Sequence, residues 1–138
     1  MLFDLHQTLR RYLSVEEVKI EMDSILGSIK KLLGIQPEYT AFDEDLIIHI
    51  NSVFVILNQL NIGPSDGFFI MDSDTTWEDY MTDINQALVR SYVYLKVRLL
   101  FDPPGSGVLV ENINRMISEL EWRLYLEGDT SEGGDDNE

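Results

Sequence analysis

His6 and His49 are the only imidazoles in the chain, and no cysteine stands beside them. Neither lies in a ligand-spaced motif such as H-E-x-x-H, and His49 adjoins Ile50 in an apolar stretch, where a packed or interface histidine is the simpler reading. The missing cysteines exclude a disulfide framework, a thiol nucleophile, Cys-ligated zinc and an iron-sulfur cluster. Asp43, Glu44 and Asp45 supply carboxylates for acid-base work, but contiguous helical residues point in different directions, and a helix N-terminal dipole accounts for them without catalysis. Asp72, Asp74, Thr76 and Asp83 imitate the first, third, fifth and twelfth positions of a calcium loop. Trp77 occupies the sixth, where that loop needs glycine for its turn. No phosphate-binding loop, dinucleotide fingerprint or G-x-S-x-G elbow occurs. The expectation is a protein with no catalytic residues, no metal site and no cofactor, and so not an enzyme.

What remains for function is aromatic and apolar material that one small chain has difficulty hiding: Phe68, Phe69, Trp77, Tyr80, Tyr92, Tyr94, Phe101, Trp122 and Tyr125. Each singly suits a core. Together they predict subunit contacts, because aromatic side chains are enriched at interface centres.

Charge narrows the partners. The 138 residues carry 10 Lys+Arg against 25 Asp+Glu, a formal net charge of −15. Residues 32–89 hold no Lys or Arg and ten acids, so a phosphate-neutralising groove cannot be built there. Contact between that stretch and nucleic acid is expected to be repulsive and lubricating. The N-terminal Met1-Leu2-Phe3-Asp4-Leu5-His6 lacks the apolar core of a secretory signal, and no run reaches the ~18 apolar residues of a membrane span. The protein is expected to stay where it is made.

The elements that must position these residues are helical. Leu5, Leu9 and Leu13 suggest a short leading helix. Ser14 with Glu17 has capping-box spacing, and Val15, Val18, Met22, Ile25, Leu26, Ile29, Leu32 and Leu33 predict an amphipathic helix ending at Gly34. A second helix is predicted from about Asp43 to Asn61, with Leu46, Ile50, Val53, Leu57 and Leu60 on one face and apolar residues nearly all round. Gly63-Pro64-Ser65-Asp66-Gly67 is dense turn chemistry, and Phe68–Met71 reads as a brief strand or an ordered loop. Thr75 with Glu78 predicts a capped short helix over Trp77–Met81. A strong helix follows, with Ile84, Leu88, Tyr92, Leu95 and Leu99 in one stripe and Val89, Val93, Val97 and Leu100 in another, ending before Asp102-Pro103-Pro104-Gly105. The last helix, roughly Gly107 to Leu126, has Leu109, Ile113, Met116, Leu120 and Leu124 on one face and starts after Ser106, a usable N-cap. Residues 127–138 contain six acids and no apolar side chain, which predicts a disordered acidic tail. The fold class is all-α: a small bundle of about four main helices with one long loop. The organisation is an N-terminal extension over 1–21, a helical domain over 22–126 and the tail over 127–138.

Five segments together resemble the head-to-tail connector, or neck adaptor, proteins of long-tailed bacteriophages and prophages. They are Ile29-Lys30-Lys31-Leu32-Leu33-Gly34, His49-Ile50-Asn51-Ser52-Val53-Phe54, Thr76-Trp77-Glu78-Asp79-Tyr80, Tyr94-Leu95-Lys96-Val97-Arg98-Leu99-Leu100-Phe101-Asp102-Pro103-Pro104 and Glu119-Leu120-Glu121-Trp122-Arg123-Leu124. The resemblance implies a non-enzymatic virion protein of the capsid-vertex neck, present in host cytoplasm during assembly. It also implies a homo-oligomeric ring of about 12 copies on the portal protein. Such a ring extends the DNA channel, lets DNA pass without specific binding, and receives the next neck or tail-completion protein. Carried over, the portal-docking region falls on Trp122, Arg123, Leu124 and Tyr125, and a loop facing the channel or the following ring falls on Gly67–Trp77, including Phe68, Phe69 and Trp77. Members of the family tend to begin near Met22, which sets residues 1–21 apart as an extension. Two rivals use the same residues: a helical regulatory protein-binding module of a phage or prophage, and a small metal-dependent hydrolase using the acids of 72–83.

Overall fold

The computed structural model describes residues 23–132, and the predicted leading helix, the Ser14–Glu17 capping box and His6 lie outside them. Five helices follow in order: α1 (Ile25–Leu32), α2 (Asp43–Gln59), α3 (Trp77–Tyr80), α4 (Gln86–Phe101) and α5 (Gly107–Glu132). The described chain is all-α, with a single isolated bridge between Ser24 and Thr76 in place of strands. The Phe68–Met71 segment is accordingly a loop.

The predicted continuous helix into Leu33 is broken at Ser24, whose backbone is extended and whose Oγ caps α1 by accepting from the Gly27 N–H at 3.0 Å. The same hydroxyl donates to the Ser73 carbonyl at 2.6 Å, and the Ile25 N–H donates to the Thr75 carbonyl at 3.0 Å. A tertiary contact thus decides where α1 starts. Its end is local: Gly34 takes φ +78°, as a glycine after a helix C-terminus does.

The core is built on α4, which packs against both α2 and α5, while α1 packs against α2. Leu46, Ile50, Val53, Phe54 and Leu57 of α2 meet Val89, Tyr92, Val93 and Val97 of α4, all buried. From α5 come Ile117 and Leu124, also buried. Ile84, expected to open the α4 stripe, is 92% exposed, because α4 begins only at Gln86.

The short helix α3 is capped by Thr76 and Asp79 rather than Thr75 and Glu78: the Thr76 N–H donates to Asp79 Oδ2 and the Asp79 N–H to Thr76 Oγ1. Trp77, the first residue of α3, points inward, where its Nε1–H donates to Ser28 Oγ at 2.9 Å.

Helix α5 does not stop at Leu126 but runs through Glu132, into the segment expected to be an unstructured tail. Ile117, Leu124 and Gly128 share its buried side. A Cβ on Gly128 would overlap the Leu60 carbonyl, so the helix lies directly on the end of α2. The acidic residues over 127–132 are carried on a helix whose inner side is held by tertiary packing. Residues 133–138 lie outside the described part.

Candidate protein interface

Lys30, one of ten cations, is removed from the surface. Its ammonium donates to the Pro37 carbonyl at 3.1 Å and the Tyr39 carbonyl at 2.8 Å, and lies 2.8 Å from Asp43 Oδ1. The Asp43 contact is an ion pair without good hydrogen-bond geometry. This cluster ties α1, the 34–42 connection and the first turn of α2 together. Arg90 lies over the Trp77 ring at 5.3 Å, and Lys96 is 3.4 Å from Glu121, which also accepts from the Tyr92 hydroxyl at 2.9 Å. Among the described arginines, Arg115 and Arg123, both on α5, are exposed, and Arg90 and Arg98 are half-buried.

The residues expected to form an interface divide into two sets. Trp77 is 1% exposed and Leu124 0%, so both are core residues and unavailable for docking. Phe68 is half-buried, edge-on to Phe54 at 5.2 Å and to Tyr80 at 5.0 Å. The outward set is Phe69, 67% exposed, together with Trp122 and Tyr125, which stack on each other at 6.0 Å, and Arg123, held to Glu119 at 2.7 Å on the same helix.

Phe69 is positioned by Asn51. The Asn51 side chain accepts from the Ile70 N–H at 2.7 Å and donates to the Ile70 carbonyl at 2.9 Å, mimicking a strand partner. Ile70 is buried by this hook, and its neighbours Phe69 and Met71 are turned outward. Asn51 lies between Ile48 and Val55 on α2, both exposed, so the loop adds two apolar side chains along an apolar row of the helix. The sequence does not single out Ile48, Val55 or Met71: the all-round apolar character of α2 leaves open whether the helix is central to the core or packs on a neighbouring subunit, and Met71 falls within the Gly67–Trp77 loop. On α5, Val108, Leu109, Met116 and Leu126 are exposed as well as Trp122 and Tyr125. Isolated exposed apolar residues are ordinary; here several fall on each of two elements.

Two tyrosine hydroxyls are perturbed. Burial raises the Tyr80 pKa well above the ordinary value, with the Asp83 charge adding to it; burial, then the hydrogen bond and charge of Glu121, do the same to Tyr92. Both are structural groups. The Tyr80 hydroxyl donates to the Ile62 carbonyl at 3.3 Å, and its ring lies against Gly63, where any Cβ would overlap it. A cleft of about 490 Å³ beside Tyr80 is lined by Asp83, Asn85 and Glu127. Among the described residues no group of three His, Asp or Glu is placed to hold a metal ion, and Asp72 turns its carboxylate onto the Asp74 N–H at 2.9 Å. No described helix is long and apolar enough to cross a membrane.

A family model described as phage connector protein matches residues 25–131. Among curated proteins, the cyclic UMP-AMP synthase of Rhodothermus marinus is 35% identical over 72 residues, covering 52% of this chain and 23% of that protein. The chain thus spans less than a quarter of that relative's length. No solved structure matches the chain.

Proposed function

This chain belongs to the phage connector protein family, a structural family, and on that premise we propose that it forms a ring on the portal at the capsid vertex. The ring extends the DNA channel and presents a surface to the next neck or tail-completion protein. A copy number of about twelve is the family-based expectation.

The observation that carries this reading is the apolar surface left uncovered in a single chain. Ile48, Val55, Phe69 and Met71 lie exposed on one side, and Val108, Leu109, Met116, Trp122 and Tyr125 on α5. A ring requires each copy to offer two different faces, one to each neighbour. In this reading the Trp122–Tyr125 stack with Leu126 docks on the portal, a compact aromatic anchor of the kind that dominates interface energetics. The ten acids of residues 32–89 partly line the channel, where like charge keeps DNA phosphates from adhering.

Size-exclusion chromatography with light scattering, on the chain alone and mixed with the portal protein of the same phage, tests the proposal. A stoichiometric ring complex is expected. A chain that stays monomeric or dimeric and ignores the portal across a range of salt would overturn it and favour a regulatory binding module instead.

A further inference from the structure

The stacked rings of Trp122 and Tyr125 do not stand alone on α5. Asp129 follows one turn beyond Tyr125 and two turns beyond Trp122, so the three residues share one side of the helix, away from the buried Ile117, Leu124 and Gly128. Trp122 and Tyr125 are exposed, with ring centroids 6.0 Å apart and an interplanar angle of 21°. Asp129 is exposed too, and makes no hydrogen bond or ion pair with another described residue.

An aromatic pair by itself fits any apolar partner; the charge around this one selects a cation. Beyond Arg123 the chain has no Lys or Arg through residue 138 and carries six acids. Arg123, the nearest cation in sequence, is held by Glu119 at 2.7 Å. An anion brought here would meet uncompensated carboxylate charge, whereas a cation gains from the negative ring faces and from Asp129 together. Arginine suits both at once, because its planar guanidinium stacks on an indole and presents paired N–H donors to a carboxylate, while an ammonium is a compact, strongly hydrated point charge. The chain uses the same chemistry internally, where Arg90 lies over the Trp77 ring at 5.3 Å.

We propose that Trp122, Tyr125 and Asp129 form a receptor for one arginine side chain of the portal protein. The guanidinium lies on the Trp122 ring and its N–H groups donate to the Asp129 carboxylate. Leu126, exposed one turn on from Trp122, borders the receptor with apolar surface. The inference rests on the portal-docking reading and names the chemical group that the docking surface takes.

The test is isothermal titration calorimetry of the full chain with the portal protein of the same phage, at several salt concentrations. Trp122→Leu keeps apolar bulk but has no π face, and is expected to weaken binding about 10-fold, with Trp122→Phe weakening it less. Asp129→Asn is expected to weaken binding severalfold and to flatten its salt dependence. The double variant should lose less than the product of the two single losses, because both side chains act on one cation. The substituted positions are exposed, so far-UV circular dichroism and melting should match the wild type. Alanine substitution of exposed portal arginines should then find one whose removal weakens the wild type but not the double variant. Portal binding by Trp122→Leu and Asp129→Asn at wild-type strength, or a scan that finds no such arginine, would overturn the receptor while leaving portal docking in place. A wild type that does not bind the portal would remove both.

Discussion

Gly128 on α5 rests against the Leu60 carbonyl at the end of α2, so closely that no side chain fits between them. This contact converts a segment with no apolar side chains into a packed helix end. Gly128→Ala must push the two backbones apart, and a loss of roughly 1–3 kcal/mol is expected from overpacking. Gly105→Ala, with open space where its Cβ would go, should be near neutral. Chemical denaturation of the two variants checks this; equal midpoints would show that α5 is not held at Leu60.

The buried and exposed tryptophans should separate stability from assembly. Trp77→Ala removes a core ring and leaves Ser28 without its indole donor, a cost of roughly 3–5 kcal/mol. Trp122→Ala removes a ring that is 61% exposed and should change stability by less than about 0.5 kcal/mol, while weakening portal binding under the proposed function. Thermal melts alongside a binding assay read both effects. A Trp122→Ala chain that melts like Trp77→Ala would contradict the burial difference.

Asn51 serves the loop rather than the helix it sits on. Asn51→Leu leaves the Ile70 N–H and C=O without partners, and about 1–3 kcal/mol should be lost. Hydrogen exchange is the sharper readout: the Ile70 amide should exchange much faster in the variant, with amides of α4 slowed or quickened only in step with global stability. An Ile70 amide as protected as in the wild type would show that other contacts hold the loop.

Alkaline pH should destabilise the fold through Tyr80 and Tyr92. Both hydroxyls have raised pKa values in the folded chain, so above the ordinary tyrosine value of about 10 the unfolded chain loses protons that the folded chain keeps. The unfolded state then binds fewer protons, and stability falls with rising pH. The contribution is fully present below pH ~10 and is lost as pH climbs towards the folded-state values. Denaturation midpoints of the wild type and Tyr92→Phe between pH 8 and 11 should converge as pH rises, since the variant lacks one of the two titrating groups. Parallel curves would exclude a role for Tyr92.

How much of this was legible in advance depends on the range of the interaction responsible. Periodicity, turn residues and prolines specify the all-α class, the four main helices, the stop at Gly34 and the break at Asp102-Pro103-Pro104, because these depend on neighbours within a turn or two. The same periodicity left open which apolar stripe would be covered. Leu109 and Met116 share a predicted face with Leu124, yet they are exposed and Leu124 is buried, since α4 meets only part of that face. Four features needed the tertiary structure: the start of α1 at Ser24, the inward turn of Trp77, the burial of Lys30 against Asp43, and the helical extension to Glu132. Each is set by a partner far along the chain: Ser73 and Thr75 for Ser24, Ser28 for Trp77, Asp43 for Lys30, and Leu60 for Gly128. A local pattern can state that a residue suits burial or a helix; only the packed chain supplies the surface that decides it.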